Sequence, residues 1–384
     1  MDKHGKKQGG INMAKKILSA LVSSILIASL CTSCVQKGGD TGDKVNEGTE
    51  SVEKVKVGMV TDSGTIDDKS FNQGSWEGIQ RYEKEKGTIE AQYLKPNDVQ
   101  ETDYINAIDT LVETGNKIIV TPGYKFETAV NKAADTHKDV SFILLDGQTH
   151  GGDNQFVKHD NVVCVYFNEH EAGFLVGIAA ALSTKTGKLG FIGGMKIPPV
   201  EKFYYGYQAG VNYANQKLGA KATITDTQFQ GSFDNIPAGQ TLAAGMYGKG
   251  IDIIFHAAGG VGNGVFNEAK ARAEKGEKVW VIGVDSDQYE QGLLKDGKTS
   301  VTLTSAIKKV DVAAYNYIDA KLNDKFPGGE VITLTIKENG VGIPEENPNL
   351  SDDVLSKIDS VTQEIKEGKI IVPQTQKEVD DFLK

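Results

Sequence analysis

Short apolar runs alternate with longer segments whose apolar residues recur at helical spacing, from residue 55 to about residue 323. The segment 70–85, for example, has apolar or aromatic side chains at positions 71, 76, 79 and 82, which predicts an amphipathic helix. Strands are predicted at 55–60, 89–94, 117–121, 140–145, 161–167, 188–193, 222–228, 251–255 and 279–284. Helices are predicted at 70–85, 101–114, 126–136, 169–184, 200–217, 238–248, 263–275 and 306–323. This alternation is typical of βαβ units in parallel sheets.

The length of the chain indicates that these elements form two lobes. The sequence has 384 residues, whereas a single hydrophobic core stops growing at about 250–300 residues. The predicted strands are also too many for one doubly wound sheet. Two similar α/β lobes are therefore expected, and a single α/β barrel is the alternative.

The N-terminal segment has the pattern of an export signal. Lysines precede an apolar run from Ile17 to Leu30, which is shorter than the roughly 20 residues that span a bilayer. Met13 is an alternative start. The run leads to Cys34, and a small residue before a cysteine there is typical of a lipidation site, with residues 1–33 as the signal peptide. A cleaved secretory signal without lipid is the alternative.

The residues that follow Cys34 do not predict a packed element. Residues 34–54 are polar and rich in glycine, which predicts a flexible tether. Beyond it the only cysteine is Cys164, within an apolar strand-like run, where a lone cysteine is usually a small buried hydrophobic residue. The sequence therefore predicts neither a disulfide framework nor a cysteine metal site, and no cofactor is expected.

The overall charge excludes one class of partner. Lys and Arg number 42 and Asp and Glu number 52, for a net charge of -10. Nucleic acids and anionic membrane surfaces attract basic faces, so neither is expected as the main partner.

Acids and glycines recur directly after the predicted strands. Asp62, Gly123, Asp146 and Asp285 each follow a strand, and a glycine-rich stretch at 257–264 follows another. In parallel sheets, ligands bind outside these carboxyl ends. Carboxylates accept hydrogen bonds from vicinal hydroxyls, and glycines allow backbone amides to come close. The pattern predicts a neutral, polyhydroxylated ligand, although a single such acid often only caps the next helix.

Several longer motifs carry a family resemblance. They are the stretches 57–78 (VGMVTDSGTIDDKSFNQGSWEG), 171–181, 258–264, 280–289 and 341–350. In this order they resemble the basic membrane protein family, the lipid-anchored substrate-binding proteins of ABC transporters that include a purine nucleoside receptor lipoprotein. The resemblance covers about residues 55–373.

The resemblance implies a type I periplasmic binding fold. Two Rossmann-like lobes would be joined by a three-stranded hinge, with the ligand in the cleft between them. By analogy the N-terminal lobe takes 55–167 and 304–325, the C-terminal lobe takes 168–303 and 326–350, and residues 351–384 form a C-terminal extension.

The resemblance also implies which rings hold the base. Phe71 and Phe233 match two rings that stack on the purine from opposite lobes, and Phe229 competes with Phe233 for the second place. Asp62 and Asn72 match polar residues near the edge of the base. For Phe71 the alternative is a buried helix residue.

The remaining implied contacts concern the sugar. Asp285 and Lys308 match ribose-binding positions, and Asp146, Gly123, Gly259 and Gly260 are further contributors. A solvated lysine on a helix is the alternative for Lys308. Helix capping is favoured over ligand contact for the neighbouring pair Asp67 and Asp68.

The expected protein is a monomeric, non-enzymatic lipoprotein on the cell membrane that captures guanosine, inosine or adenosine and delivers it to a permease. Two other classes stay open. A nucleoside-sensing receptor would share the fold and ligand, and a nucleoside-processing enzyme would need an acid cluster such as Asp62 with Asp67 and Asp68. The glycine-rich turn at 260–264 lacks the spacing of a dinucleotide loop, and the stretch 169–171 lacks metal-binding spacing.

Overall fold

Two six-stranded sheets organise residues 54–384, the part of the chain that the computed structural model describes. The first sheet has the order β11-β5-β4-β3-β1-β2 and the second β12-β10-β9-β8-β6-β7. The strands of the first sheet are β1 Val55–Val60, β2 Ile89–Leu94, β3 Ile118–Pro122, β4 Ser141–Leu145, β5 Val162–Phe167 and β11 Val331–Leu334. Those of the second are β6 Lys188–Gly193, β7 Thr223–Phe229, β8 Ile253–Ala257, β9 Trp280–Asp285, β10 Thr302–Lys308 and β12 Val341–Gly342. All pairings are parallel except that of β12 with β10.

Helices cover both faces of each sheet. They are α1 Phe71–Lys86, α2 Glu101–Glu113, α3 Glu127–Thr136, α4 Glu169–Ser183, α5 Pro198–Lys217, α6 Ile236–Gly248, α7 Gly260–Ala273, α8 Val310–Leu322, α9 Asp352–Lys366 and α10 Gln376–Asp381. Because both faces are covered, β3, β4 and β8 are buried along their whole length and read as continuous apolar runs. Within residues 54–384 no helix is both long and apolar enough to span a membrane.

Glycines bring α4 and α5 into direct backbone contact. A Cβ atom on Gly206 would lie 2.0 Å from the carbonyl oxygen of His170, and one on Gly173 would lie 2.3 Å from that of Phe203. Larger residues would force the two helices apart. This close packing fixes the start of α4 beside the first half of α5, next to the cleft.

The chain passes between the two sheets three times, after β5, after β10 and after β11. The crossing segments are hydrogen-bonded to one another. The amide of Asn168 donates to the carbonyl of Leu334 at 3.0 Å, and the amide of Lys309 donates to that of Gly340 at 2.9 Å. The expected α/β architecture of type I periplasmic binding proteins is confirmed.

The structure corrects the prediction around residue 306. A helix was expected over 306–323, but Thr302–Lys308 is the buried strand β10, and α8 begins only at Val310. A lone residue separates the two elements, so the sequence offers no turn signal between them. The strands β11 and β12 and the helices α9 and α10 were also not predicted.

The lobe boundaries differ accordingly from the expected ones. Strand β10 pairs with β9 in the second sheet, although residues 304–325 were expected in the first lobe. Strand β11 pairs with β5 in the first sheet, although 326–350 was expected in the second lobe. Helix α8 packs against α1, and α9 packs against α4. The predicted signal peptide and all of the predicted tether but Lys54 lie outside the described residues.

Candidate ligand-binding cleft

One cavity lies between the two sheets and is lined from both sides. The space between its lining atoms, counting its opening to solvent, is about 610 Å³. The lining residues are Asp62, Asp68, Ser70, Phe71, Asn72, Gly123, Tyr124, Asp146, Ile197, Pro199, Val200, Phe203, Phe233, Ala257, Ala258, Gly259, Val284, Asp285 and Lys308. Nine of the ten residues expected from the sequence are in this set.

The strand ends bring the polar residues together, as expected for parallel sheets. In the first sheet Asp62, Gly123 and Asp146 follow β1, β3 and β4. In the second, Gly259, Asp285 and Lys308 lie at the ends of β8, β9 and β10. Gly260 is the expected residue that does not line the cavity; it opens α7 behind the carbonyl of Phe233.

Aromatic side chains from both lobes form the apolar walls. Phe71 is the first residue of α1, and Phe233 lies in the loop after β7. Phe229 instead packs among Phe191 and Tyr204, with ring centroids 5.8 and 6.2 Å apart, and does not line this cavity. Phe203 of α5 and Tyr124 after β3 are two further lining aromatic residues that sequence reasoning missed.

Asp68 fixes the start of α1. Its carboxylate accepts hydrogen bonds from the amides of Ser70, Asn72 and Gln73 at 2.8, 3.0 and 3.1 Å. Burial raises the pKa of Asp68 to about 6, although these hydrogen bonds act in the opposite direction. The structure therefore gives Asp68 the capping role expected for it and also places it on the cavity wall. Asp67 is exposed and accepts from the Thr65 hydroxyl.

The side chain of Asn72 is bonded within the protein. Its amide donates to Asp62 Oδ1 and to Asp68 Oδ2, both at 2.9 Å, and its Oδ1 accepts from the amide of Asp62 at 3.2 Å. Both amide protons are used, so Asn72 holds Asp62 in place and has no N–H left to donate. Asp62 Oδ1 also accepts from Gly64, which leaves Oδ2 as its available acceptor. Burial raises the pKa of Asp62.

Lys308 lies at the centre of the cleft. Its ammonium donates to Asp146 and lies 3.4 Å from Glu169 Oε1. It also lies over three rings, at 4.7 Å from the centroid of Phe71, 5.4 Å from Phe167 and 5.8 Å from Phe203. Lys308 is 3% exposed, so the solvated helical lysine is excluded. Burial would lower the pKa of Lys308, but the surrounding carboxylates outweigh burial and raise it.

Asp146 and Asp285 both have the left-handed backbone conformation, with φ of 57° and 65°. Asp285 accepts a hydrogen bond from the Ser70 hydroxyl, which joins the two lobes across the cleft. Burial raises the pKa of Asp285, and Lys308 opposes this effect. Asp146 Oδ1 is buried and has no hydrogen-bond partner within residues 54–384. An unpaired carboxylate oxygen on the wall suits a ligand that donates a hydroxyl or N–H.

Apart from Asp68 and Ser70, which precede α1, the lining residues that the sequence did not reveal fall into two groups. Tyr124, Ala257, Ala258 and Val284 border strand ends, so the strand-end rule could have found them. Ile197, Pro199, Val200 and Phe203 belong to the start of α5 and the residue before it. They reach the cleft only because α5 is held against α4, which no local pattern reveals.

No group of three potential metal ligands occurs within residues 54–384. Cys164 is a buried free cysteine, as predicted. The stretch 169–171 begins helix α4, also as predicted.

Comparison with known proteins identifies the family. The family model described as ABC transporter substrate-binding protein PnrA-like, abbreviated Bmp, matches residues 55–376. The chain belongs to the Bmp family. Its members are substrate-binding proteins, and the resemblance to the basic membrane protein family is confirmed.

Individual relatives match most of the length of this Bmp protein. The chain is 39% identical to the "CD4+ T-cell-stimulating antigen" of Listeria monocytogenes, over 94% of this chain and 99% of the relative. It is 34% identical to the "ABC transporter nucleoside-binding protein BmpA" of Lactococcus lactis, with the same coverage. A solved ABC transporter solute-binding protein from Aeropyrum pernix superimposes with a TM-score of 0.72 at 27% identity, covering 85% of this chain and 96% of that one.

Proposed function

We propose that this Bmp protein captures purine nucleosides in the cleft and delivers them to the permease of an ABC transporter. The observation that carries the proposal is the pairing of Phe71 and Phe233, which come from opposite lobes and line the same cavity. Two aromatic faces with polar groups around them suit a planar base attached to a sugar, because every base has a π-face on which a ring can stack. A relative in Lactococcus lactis is named as nucleoside-binding, which supports the same ligand class.

The polar groups divide between the two parts of such a ligand. Asp62, held by Asn72, offers a carboxylate oxygen to N–H groups on the base edge. The ribose is bound by three residues that lie at the strand ends near the crossings, Asp285, Asp146 and Lys308. The carboxylates accept from its hydroxyls and the ammonium donates to its oxygens. Backbone groups at Gly123 and Gly259, both with positive φ, complete the wall.

The proposal includes the position of the protein in the cell. Cys34, after lipidation, would anchor the chain to the membrane with residues 35–54 as a tether, and the folded part would face the exterior or the periplasm as a monomer. The family membership supports a substrate-binding lipoprotein that works with a permease. Binding and release without chemical change then describe its role, and no catalytic residue is proposed.

Calorimetry on the purified protein tests the ligand class. Guanosine, inosine and adenosine should each give a binding heat, whereas uridine, free ribose and glucose should give little. The Phe71→Ala variant serves as the site control and should bind all three purine nucleosides more weakly. Tight binding of a sugar without binding of any nucleoside would contradict the proposal.

Delivery needs a separate measurement. Cells that lack this protein should take up labelled guanosine more slowly, and the wild-type chain should restore uptake. Normal uptake in the deleted strain, together with an altered transcriptional or motility response to guanosine, would favour the sensing receptor instead.

A further inference from the structure

Glu169 is a buried acid that the lining of the cleft does not include. It is the first residue of α4, directly after the chain crosses from the first sheet to the second. Its side chain is 2% exposed, and Oε2 is buried without a hydrogen-bond partner within residues 54–384. A carboxylate in such surroundings is expected to have a charged partner, because burial of an unpaired charge is costly.

The pairing is with the lysine of the cleft. Glu169 Oε1 lies 3.4 Å from the ammonium of Lys308, and Lys202 of α5 lies 4.0 Å from Oε2. Lys308 itself precedes the second crossing, so the Glu169–Lys308 pair joins two of the three crossing segments. Asp146 holds the same ammonium from the first sheet. Two carboxylates thus hold two hydrogens of the ammonium, and the third is available to the cleft that Lys308 lines.

We infer that Glu169 is a positioning residue, which in its ionised form holds the Lys308 ammonium in the orientation that donates to the ligand. The inference rests on the proposed function and deepens it. Glu169 does not line the cleft, so it acts only through Lys308. Protonation of Glu169 removes the charge that holds the ammonium, and the substitution Glu169→Gln imitates the protonated form.

The charges around Glu169 make this role dependent on pH. Burial raises the pKa of Glu169 to about 7, against the lowering effect of Lys308; Asp146 raises it and Lys202 lowers it. The charge of Asp285 also acts on Lys308 and helps to raise its pKa, so Asp285 belongs to the same cluster. The neighbouring His170 is buried, and burial followed by the charge of Lys202 lowers its pKa to about 3, so its charge does not change near neutrality.

The test compares Kd for guanosine between the wild type and Glu169→Gln across pH. At about pH 8 the variant should bind roughly three- to ten-fold more weakly, the size of effect seen for residues that act on a ligand indirectly. At about pH 5.5 the two proteins should bind alike, because wild-type Glu169 is then protonated. The ratio of the two constants also cancels the titration of shared groups, such as Asp68, that do not interact with Glu169.

Two further variants separate positioning from general destabilisation. Glu171→Gln removes another buried carboxylate from the same helical turn; Glu171 accepts a hydrogen bond from the amide of Ile336 and does not contact Lys308. Its Kd ratio to the wild type should not change with pH. In a Lys308→Met background, Glu169→Gln should have no additional effect, since the residue through which it acts is gone. The inference would be overturned if the Kd ratio of Glu169→Gln to the wild type did not change with pH. It would also be overturned if Glu169→Gln weakened binding as much in the Lys308→Met background as it does in the wild type.

A measurement without ligand keeps this inference distinct from the proposed function. In protein labelled with [¹⁵N]lysine, the Nζ signal of Lys308, identified by its loss in Lys308→Met, should titrate near pH 7 in the wild type and not in Glu169→Gln. If the wild type bound no nucleoside, the proposed function would fail, and this titration would still decide whether Glu169 controls the ammonium. An Nζ signal that is the same in both proteins at every pH would refute that control.

Discussion

Asp146 and Asp285 occupy equivalent places in the two sheets, at the carboxyl ends of β4 and β9, and both have φ near +60°. This conformation is uncommon for a residue with a side chain, and such strain is concentrated at functional sites. Each sheet thus turns one acid with this backbone conformation toward the same cleft. The two acids have different surroundings. Asp146 accepts a hydrogen bond from the Lys308 ammonium, and Asp285 accepts one from the Ser70 hydroxyl.

Replacing Asp285 tests its proposed contact with the ribose. Asp285→Ala removes a charge-assisted hydrogen bond to a hydroxyl, so affinity for guanosine should fall by about 1.5–3 kcal/mol. The loss should be smaller for the deoxynucleoside that lacks the bonded hydroxyl, and calorimetry with 2′- and 3′-deoxyguanosine identifies which one it is. An equal loss for all three ligands would show that Asp285 does not hold a hydroxyl.

Replacing Phe71 should affect all purine nucleosides alike. A ring that contacts the face of the base reads no hydrogen-bonding edge, so Phe71→Ala should weaken guanosine, inosine and adenosine by a similar ~1–3 kcal/mol. Melting should stay near that of the wild type, since Phe71 lies on the cleft wall. Phe229→Ala is the matched control: Phe229 packs in an aromatic cluster, so its loss should lower the melting temperature more than the affinity. The reverse pattern would identify Phe71 as a core residue.

Asp68 should make stability depend on pH in a defined direction. Its pKa is about 6 in the folded protein, above the ordinary value of 3.8, so the folded state binds the proton more tightly than the unfolded state. Its contribution to the free energy of unfolding is therefore full below about pH 4 and is lost as the pH rises through 6. Asp68→Asn abolishes this contribution.

Denaturant unfolding of both proteins measures the effect. The advantage of the wild type over Asp68→Asn should be larger at pH 4 than at pH 7.5, by on the order of 2–3 kcal/mol. The difference between the two proteins removes the titration of groups that they share. If the advantage instead grew with pH, the hydrogen bonds to Asp68 would stabilise its charged form more than burial destabilises it.

The proposed membrane anchor is Cys34, which lies outside the described residues. Cys34→Ala removes the thiol that would carry the lipid, so the protein should move from the detergent phase to the aqueous phase in a phase-separation assay. Cys164→Ala should leave the partition unchanged, because Cys164 is buried in the first sheet. A Cys34→Ala protein that stays in the detergent phase would show that Cys34 is not the anchor.

The sequence alone determined the alternation of strands and helices and the acids at the strand ends. Both follow from local physics: buried parallel strands need continuous apolar runs, and a chain that leaves such a strand needs a turn, where Asp and Gly are favoured. Asp62, Asp146 and Asp285 were found in this way before any fold was known. The long motifs then supplied Phe71 and Phe233 through the family resemblance.

Only the tertiary structure decided which groups act together. Lys308 reads locally as part of a helix, and it is a strand residue because β10 pairs with β9. Phe203 reaches the cleft because glycines bring α5 against α4, and Phe229 does not because its ring packs against Phe191 and Tyr204 instead. Glu169 and Lys308 are 139 positions apart in the chain, yet their charges meet where two crossings lie side by side. Long-range pairing and packing of this kind leave no periodic trace in the sequence, since they depend on which distant segments the folded core brings together.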